Sequence, residues 1–299
     1  MPLEWPRDRS REWCPPGHGD VYLALYTSGM LTRLLERGFR YAFVSNVDNL
    51  GATMNLVILG FLADQRLPFL MEVTDRTEAD KKGGHIARSR DGRLLLRETA
   101  QCPADEEQEF QDIIRYKYFN TNNLWLDLHA VKKKLDESGH ILELPLIVNR
   151  KSVDSRDSGS PAVYQLETAM GAAISVFSGA QAVRVPRSRF APVKTTEDLL
   201  ALWSDSYVLT EEMNVIVHPA RNNSPVVIRL DPAFYGAYDD FKARFPGGAP
   251  SLRACESLTI EGDVRFGRNV ALRGKVRLRN SAAQQMVVAD GSEIEGERA

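Results

Sequence analysis

The chain of 299 residues has few cysteines, few histidines and no long apolar run. Its three cysteines form no Cys-x-x-Cys pair, which argues against a zinc site or a disulfide scaffold and favours reduced thiols. Its five histidines form no His-x-x-x-His pair, so a histidine-bound metal is not expected. No run approaches the roughly 20 apolar residues that cross a bilayer, and the start of the chain lacks the apolar stretch of a secretory signal. These absences predict a cytoplasmic protein.

The chain also lacks a large excess of either charge. Lys and Arg total 38 against 40 for Asp and Glu, so the formal net charge of −2 offers no general attraction to nucleic acid or to an anionic membrane. Hydrophobic residues make up 43% of the chain and charged residues 26%, which is ordinary globular composition with room for one large domain and a smaller one. Any basic group with a function must therefore act locally.

The first part of the chain alternates between helical and extended patterns. Residues 21–37 have apolar side chains at helical spacing and stop at Gly38, a common helix terminator. Residues 41–44 follow as a short apolar strand, 54–63 as a second helix and 69–73 as a second strand. Helix and strand in turn predict an α/β sheet with crossover helices.

The middle of the chain is more mixed. Residues 92–96 predict a turn into a strand, 106–116 a helix, and 125–135 a helix that carries three consecutive lysines. These lysines, residues 132–134, are predicted to face water rather than phosphate, because the apolar residues before and after them lie four apart on the opposite side. Residues 154–161 read as a polar surface loop.

Beyond residue 250 aliphatic side chains recur every six residues, with glycines placed between them. A hexad repeat of this kind predicts a parallel β-helix, in which each coil stacks its apolar side chains on those of the next. The repeat weakens towards Val288 and Ile294. The open end of such a helix leaves unpaired strand edges, so self-association and a capped monomeric end are equally expected. The residues of the repeat are Leu258, Ile260, Val264, Phe266, Val270, Leu272, Val276 and Leu278.

Two polar strings are the best candidates for a ligand site. Residues 44–51, Val-Ser-Asn-Val-Asp-Asn-Leu-Gly, follow a predicted strand, and α/β sheets bind ligands at the carboxyl ends of their strands. Asp48 can bind Mg²⁺ or cap the turn, and Asn46 lies two residues earlier, which would place both on one face of a continuing strand. Residues 16–20, Pro-Gly-His-Gly-Asp, form a glycine-flanked turn into a helix, where backbone amides can approach a nucleotide.

These strings and five others resemble the eukaryotic-type UTP:glucose-1-phosphate uridylyltransferases, the UDP-glucose pyrophosphorylases. They occur between residues 16 and 200 in the order that the family has them, and a run of matches in order is far more specific than any one of them. The further strings are Ala-Asp-Lys-Lys-Gly-Gly (79–84), Leu-Arg-Glu-Thr-Ala-Gln (96–101), Phe-Asn-Thr-Asn-Asn-Leu-Trp (119–125), Leu-Glu-Thr-Ala-Met-Gly-Ala-Ala-Ile (166–174) and Pro-Val-Lys-Thr-Thr-Glu-Asp-Leu-Leu (192–200).

The resemblance implies both a fold and a reaction. It implies a Rossmann-like nucleotidyltransferase domain with a mixed sheet over residues 1–214, N-terminally incomplete, and a C-terminal left-handed parallel β-helix over residues 215–299. A phosphate oxygen of glucose 1-phosphate would attack the α-phosphorus of UTP, giving UDP-glucose and pyrophosphate with Mg²⁺ as cofactor. Such a site must hold two anions together, spread their charge over cations and align the attacking oxygen with the leaving group.

By the same resemblance, Lys194 binds the triphosphate and stabilises charge in the transition state. Gly17 and Asp48 join Lys194 in binding the nucleotide, and Asp48 also holds the metal. The residues implied for the sugar phosphate are His18, Asn46, Val47, Asp48, Lys82, Glu98 and Asn122.

Several of these assignments have alternatives. Lys81 stands beside Lys82 and shifts the match by one residue, while Asn120 and Asn123 compete with Asn122 because Asn-rich turns hydrogen-bond to themselves. His18 can cap its helix without touching substrate, and Lys194 can be an ordinary solvated lysine.

One family string is missing from the 299 residues: the Gly-Gly-x-Gly-Thr loop that wraps the nucleotide phosphates. The resemblance therefore predicts that the first part of the catalytic domain is absent and that this chain alone is weakly active or inactive. A non-catalytic remnant that binds sugar phosphate or self-associates is one alternative, and a pyrophosphorylase for another sugar 1-phosphate is a second. The Asn-rich string and the 166–174 string favour glucose.

Overall fold

A computed structural model of the chain describes residues 2–77, 80–81, 83–154, 157, 159–222 and 224–298. The chain divides into two compact units, the first of Met1–Asn46 with Met54–Arg187 and the second of Val47–Thr53 with Ser188–Ala299. The turn 47–53 is therefore part of the second unit although the first unit surrounds it in sequence. Of the helices described, none is long and apolar enough to cross a membrane. The predicted boundary between a catalytic domain of residues 1–214 and a β-helix domain of residues 215–299 stays a prediction.

The first unit is built on a mixed sheet whose strand order is β4-β3-β5-β2-β8, with β1 paired to β5. The pair β2–β8 is parallel, whereas β1, β2 and β3 each run antiparallel to β5. Strands β6 and β7 form a separate antiparallel ribbon. The strands are β1 Tyr41–Val44, β2 Phe69–Asp75, β3 His85–Arg88, β4 Leu94–Arg97, β5 Tyr118–Asp127, β6 Leu146–Ser152, β7 Ala162–Thr168 and β8 Gln181–Arg184.

Helices cover this sheet on both faces. The α-helices of the first unit are α1 Val21–Thr27, α2 Met30–Glu36, α3 Leu56–Asp64, α4 Glu107–Phe110 and α5 Leu128–Glu137. Alternate residues of a strand point to opposite faces: Phe69 and Met71 of β2 pack with α1, α2 and α5, while Leu70 packs with α3. The predicted mixed α/β architecture is confirmed, and short 3₁₀ helices connect its elements.

The predicted helix over residues 21–37 is interrupted. The chain forms α1 and α2 in its place, because Gly29 between them adopts a left-handed conformation with φ of 71°. The predicted stop at Gly38 is confirmed: its φ is 83°, and its N–H and that of Phe39 donate to carbonyls of the last turn of α2. The strand 41–44 is confirmed as β1.

The predicted helix over residues 125–135 begins too early. Trp125 lies in β5, and α5 starts at Leu128 after Asp127, whose carboxylate accepts the N–H groups of His129 and Ala130 as an N-cap. The predicted helix over residues 106–116 is limited to α4, which has four residues.

The prediction for the three lysines is confirmed. Val131 and Leu135 are fully buried, while Lys132 and Lys133 pair with acidic residues one helical turn further on. The lysines thus form the solvated face of α5. In the predicted loop 154–161, residues 155, 156 and 158 lie outside the described residues.

The second unit is dominated by stacked parallel strands in the order β11-β12-β14-β16, with β13 parallel to β15. A short antiparallel pair, β9 with β10, precedes them. The strands are β9 Tyr207–Leu209, β10 Val215–Val217, β11 Val227–Arg229, β12 Ser251–Glu261, β13 Val264–Phe266, β14 Ala271–Arg279, β15 Met286–Val288 and β16 Glu293–Arg298, and the helices are α6 Thr196–Trp203, α7 Pro232–Tyr235 and α8 Tyr238–Arg244.

The residues of the hexad repeat form the core of this unit, together with side chains from α6, α7 and α8. Leu258 pairs with Val276, which lies three hexads further along the chain. One coil therefore consists of three hexads, and each hexad stacks on the third hexad after it. The next coil is longer, because Leu272 pairs with Ile294. This longer coil explains why the repeat fades towards the end of the sequence.

Candidate functional site

The string that begins at Val44 leaves its strand at once. Strand β1 ends at Val44, so Asn46 and Asp48 lie in the turn that follows and the strand alternation expected for them is wrong. Asn46 is half-buried at the end of the first unit. Val47 is 98% exposed and begins the segment that belongs to the second unit.

Asn49, which the sequence did not single out, holds this turn in place. It is buried, and its Oδ1 accepts hydrogen bonds from the N–H groups of Gly51 (3.1 Å) and Ala191 (2.9 Å). Its Nδ2 donates to the carbonyl of Arg189 at 3.1 Å. One amide side chain thus joins the turn to residues 189–191, which lie far away in sequence.

A close backbone approach explains the glycine of the same string. A Cβ on Gly51 would stand 2.4 Å from the carbonyl oxygen of Ser188 and 2.5 Å from the carbonyl carbon of Arg189. The buried guanidinium of Arg189 in turn donates to the carbonyl of Thr53 at 2.9 Å. The turn therefore has one tight position on the second unit, and only glycine fits there.

The turn and the segment 189–193 bring Asp48 next to Lys194. The Val193 N–H donates to the Asp48 carbonyl at 2.9 Å, and Asp48 Oδ2 lies 4.0 Å from Lys194 Nζ. Lys194 directly precedes α6, whose predicted start is confirmed by a capping box between Thr195 and Asp198. The lysine side chain is 61% exposed, so this ion pair is weak and the ammonium group remains accessible.

The Asp48 carboxylate also has an unsatisfied oxygen. Its Oδ1 is buried and has no hydrogen-bond partner among the residues that the structure describes. A buried carboxylate oxygen without a donor is costly unless a cation or another ligand satisfies it. The described part of the chain holds no cluster of three or more acidic, His or Cys side chains suited to a metal. Asp48 thus fits a Mg²⁺ ion that takes its other ligands from phosphate oxygens and water.

The glycine-flanked string 16–20 packs against a second predicted string. Residues His18–Asp20 form a 3₁₀ turn before α1, and His18 Nδ1 accepts the Met170 N–H at 2.9 Å. The Thr168 N–H donates to the Pro16 carbonyl at 2.9 Å. The first bond fixes the orientation of the His18 ring, and the second holds the backbone ahead of it.

Both glycines of this string are needed for the contact. A Cβ on Gly17, whose φ is 85°, would lie 2.5 Å from the Thr168 carbonyl oxygen, and one on Gly19 would lie 2.4 Å from Thr168 Oγ1. The Gly-x-Gly spacing therefore has a packing cause in the first unit. Thr168, which makes all these contacts, was missed as an organising residue.

The Asn-rich string was expected to form a turn. It instead forms a bulge in β5 opposite Glu72 of β2. Asn122 adopts a φ of 57°, and its N–H and side-chain oxygen both bond to the side chain of Asn120. Asn123 is buried and donates to the Glu72 carboxylate at 3.0 Å. Asn120 is buried as well, so Asn122 is the most accessible of the three.

Glu98 stands against Gly84, where a Cβ would lie 2.5 Å from its carboxylate oxygen. Lys82 lies outside the described residues. The neighbouring Lys81 is placed by its carbonyl, which accepts the guanidinium of Arg76 at 2.8 Å. The predicted residues are thus grouped as Gly17 with His18, Asp48 with Lys194, and Glu98 with the Asn-rich string, because the Asn120 N–H donates to the carbonyl of Gly84 at 3.0 Å.

A family model described as UTP--glucose-1-phosphate uridylyltransferase matches residues 1–273. The chain is 45% identical over 283 residues to the UTP--glucose-1-phosphate uridylyltransferase of Solanum tuberosum, covering 94% of this chain and 57% of the relative. With the protein of that name from Saccharomyces cerevisiae it shares 43% identity over 283 residues, or 95% of this chain and 55% of the relative. The chain thus spans a little more than half the length of these curated relatives.

Solved structures show the same likeness. A mutant UDP-glucose pyrophosphorylase from Leishmania major in complex with UDP-glucose superposes with a TM-score of 0.88 at 47% identity, covering 99% of this chain and 65% of that one. A UDP-glucose phosphorylase from Trypanosoma brucei gives a TM-score of 0.89 at 48% identity, with 100% and 65% covered.

Proposed function

The chain belongs to the UTP–glucose-1-phosphate uridylyltransferase family, and from this membership we propose that it takes part in uridylyl transfer from UTP to glucose 1-phosphate, giving UDP-glucose and pyrophosphate. The observation that carries the proposal is the pair of Asp48 and Lys194, with its buried and unsatisfied carboxylate oxygen. The name of the relatives and the UDP-glucose in the Leishmania major structure support the choice of substrates.

Lys194 is proposed to stabilise the charge that develops on the α-phosphate. In the reaction, a phosphate oxygen of glucose 1-phosphate forms a bond to the α-phosphorus while the bond to pyrophosphate breaks, so no covalent protein intermediate is needed. An accessible ammonium group at a position fixed by the α6 cap suits this role, because a cation already in place costs no reorganisation during the reaction.

Asp48 is proposed to hold Mg²⁺ together with substrate phosphates. The ion would neutralise part of the phosphate charge when bound. The unsatisfied Oδ1 of Asp48 supports this role, since a buried carboxylate oxygen without a donor is costly and a bound cation would satisfy it.

The contacts to the remaining parts of the substrates are proposals as well. Gly17 is assigned to the uridine, and the sugar phosphate is assigned to side chains from several segments of the chain. The accessibility of Asn122 relative to its two neighbours supports its choice for the sugar. The fixed ring of His18 supports a positioning role. The proposed sugar-phosphate residues are His18, Asn46, Val47, Asp48, Lys82, Glu98 and Asn122.

For the second unit we propose a left-handed parallel β-helix that serves as a self-association surface. The parallel strands and the pairing of residues three hexads apart support a β-helix. The strand edge of β16 supports self-association, although the charged residues in that strand oppose it. A cytoplasmic location stays a prediction from composition.

We further propose that these 299 residues alone have weak or no transferase activity. The family's glycine-rich phosphate loop has no counterpart in them, and scattered side chains do not replace a row of backbone amides around a triphosphate. The same observation favours a second candidate function, a non-catalytic chain that binds sugar phosphate or nucleotide sugar. A pyrophosphorylase for another sugar 1-phosphate is a third candidate, and replacing glucose 1-phosphate by other sugar 1-phosphates in the transfer assay tests it.

Two measurements test these proposals. Calorimetric titration with UDP-glucose and Mg²⁺ should show binding that Asp48→Asn and Lys194→Ala each weaken by about tenfold or more, while Lys133→Ala on the solvated face of α5 leaves it unchanged. A UDP-glucose formation assay on this chain, and on a version extended by the coding sequence upstream, then separates the candidates. Activity in the extended form supports transfer, and binding without activity in either form supports the binding function. Unchanged binding in both variants contradicts the proposed site.

A further inference from the structure

Strand β5 carries a bulge that lies opposite a single residue of β2. The strand pairs on either side of Glu72 leave one residue in β2 and three residues, 121–123, in β5. A bulge of this kind takes residues out of the ladder and redirects their side chains. The residue at its centre, Asn122, adopts the left-handed conformation with a φ of 57°. A residue other than glycine keeps such a conformation only where its surroundings enforce it.

Glu72 holds the bulge through three hydrogen bonds. Its carbonyl accepts the Thr121 hydroxyl at 2.8 Å, and its carboxylate accepts Asn123 Nδ2 at 3.0 Å and Trp125 Nε1 at 2.8 Å. Glu72 is fully buried, and each of its carboxylate oxygens has a donor from β5. An ionised carboxylate can accept both donors, whereas a glutamine would offer one acceptor and one donor. Because a buried polar group that loses its partner is costly, these bonds fix the residues on both sides of Asn122.

The bulge determines which atom of Asn122 faces outward. Its Oδ1 accepts Asn120 Nδ2 at 2.7 Å, and its N–H donates to Asn120 Oδ1 at 2.9 Å. Its Nδ2 donates to no group among the described residues, and the side chain is half-buried. The outward group is therefore an N–H donor, which suits a hydroxyl oxygen of a hexose. The Asn120 N–H also donates to the Gly84 carbonyl, and Gly84 packs against Glu98, so the bulge is connected to both residues proposed for the sugar.

We propose that Glu72 is a positioning residue for the sugar: its buried carboxylate holds the bulge so that the Asn122 amide group points at the hexose of UDP-glucose. This role rests on the proposed function, which assigns Asn122 to the sugar phosphate. Glu72 itself is fully buried and does not contact the ligand. The residues proposed for the nucleotide, among them Gly17 and Lys194, lie on other segments of the chain. The affinity for the glucosyl group should therefore depend on Glu72, whereas the affinity for the nucleotide should not.

Calorimetric titration of Glu72→Gln with UDP-glucose and with UDP, each in the presence of Mg²⁺, tests this role. The indole N–H of Trp125 can only donate, so the glutamine oxygen is needed there and the glutamine amino group meets Asn123 Nδ2. Two donors then face each other, and the bulge must shift. The dissociation constant for UDP-glucose should rise by about tenfold, and that for UDP should stay within about twofold. The matched control is Glu137→Gln, at an exposed glutamate of α5, which should change neither value.

A reversed pair tests whether Glu72 acts through Asn123. Asn123→Asp in the Glu72→Gln background supplies an acceptor for the glutamine amino group, so the affinity for UDP-glucose should return to within about threefold of that of the unaltered chain. Asn123→Asp alone places two carboxylates next to each other and should weaken UDP-glucose binding by about tenfold. If circular dichroism and melting show that Glu72→Gln does not fold, Asn123→Ala replaces it. That variant removes the same hydrogen bond and should give the same selective loss of UDP-glucose affinity.

Three outcomes overturn this role while the proposed function stands. The first is equal weakening of UDP-glucose and UDP binding in a folded variant, which would make Glu72 a purely structural residue. The second is unchanged UDP-glucose affinity in Glu72→Gln, and the third is a reversed pair that restores nothing. If the unaltered chain binds neither UDP-glucose nor UDP, the proposed function fails and the role of Glu72 fails with it.

Discussion

At the scale of single residues, His85 is a buried histidine that packs among aromatic rings. Its ring stacks on Tyr116 and packs against Phe110, each at 4.4 Å between centroids. Neither ring nitrogen has a hydrogen-bond partner among the described residues. Burial, followed by the nearby Arg76 and Arg97 charges, lowers the pKa of His85 from 6.5 to about 3. The imidazole is therefore neutral in the folded protein.

This lowered pKa makes stability depend on pH. Because the unfolded chain binds a proton at His85 below pH 6.5 and the folded chain binds it only near pH 3, the free energy of unfolding falls as the pH drops through this window. The contribution is at most about 2 kcal/mol between pH 7 and pH 5. Urea unfolding of His85→Leu should show a smaller loss over this range than the unaltered chain. Identical losses would contradict the assigned pKa shift.

The tight position of Gly51 gives a second prediction at this scale. Gly51→Ala places a Cβ against the backbone of residues 188 and 189, so the turn that carries Asp48 must shift. We expect a loss of more than about 1 kcal/mol in the free energy of unfolding and weaker binding of UDP-glucose with Mg²⁺. The matched control is Gly60→Ala, where no atom lies within 4 Å of the added Cβ. That helical change should stabilise the chain by about 0.5–1 kcal/mol and leave binding unchanged.

At the scale of elements, the start of α6 sets the position of Lys194. Thr195 accepts the Asp198 N–H, and the Asp198 carboxylate accepts the N–H groups of both Thr195 and Lys194. Thr195→Ala should reduce the free energy of unfolding by about 1 kcal/mol and raise the dissociation constant for UDP-glucose, because the Asp198 N–H loses its acceptor and the cap whose carboxylate holds the Lys194 N–H is loosened. Thr195→Ser, which keeps the hydroxyl, should restore both values. If Thr195→Ala leaves the dissociation constant unchanged, the position of Lys194 does not depend on the cap of α6.

The elements also show what local sequence can predict. Strand β1 and the helix stop at Gly38 were predicted because an apolar run and a glycine are local signals. The start of α5 was misplaced because the apolar pattern continues from β5 into α5 without glycine or proline; the N-cap residue Asp127 was the signal that marks the change. The hexad repeat predicted the stacked strands of the second unit because it is periodic over several coils.

The candidate site could be predicted less well from local sequence signals than the elements of the fold. Asp48 and Lys194 were selected through resemblance to the family, since nothing in local spacing brings together residues so far apart in the chain. Asn49 and Thr168 were missed because their roles are contacts with distant backbone, which leave no periodic pattern. The one local signal of the turn in the sequence is an asparagine two residues before a glycine, a spacing at which the asparagine side chain can accept the glycine N–H.

At the scale of the whole molecule, each of the two units is built from two segments that are not consecutive in sequence. The turn 47–53 carries Asp48 and belongs to the second unit, although it directly follows β1 of the first. The Leu50 N–H donates to the Ala191 carbonyl, so its protection from exchange depends on the second unit. The hydrophobic clusters of the two units are separate, and each unit is therefore expected to open as its own cooperative segment.

Hydrogen exchange on two matched core variants tests this division. Phe266 and Phe69 are both fully buried, the first in the core of the second unit and the other in that of the first. Each substitution by alanine should cost about 3–5 kcal/mol within its own unit. Phe266→Ala should therefore accelerate exchange at Leu50 and along β12 and β14 while β2 and β5 keep their protection, and Phe69→Ala should do the reverse. If the exchange rate of Leu50 instead changes together with that of β2 in both variants, the turn that carries Asp48 unfolds with the first unit. The first unit would then set the position of Asp48 in the proposed site.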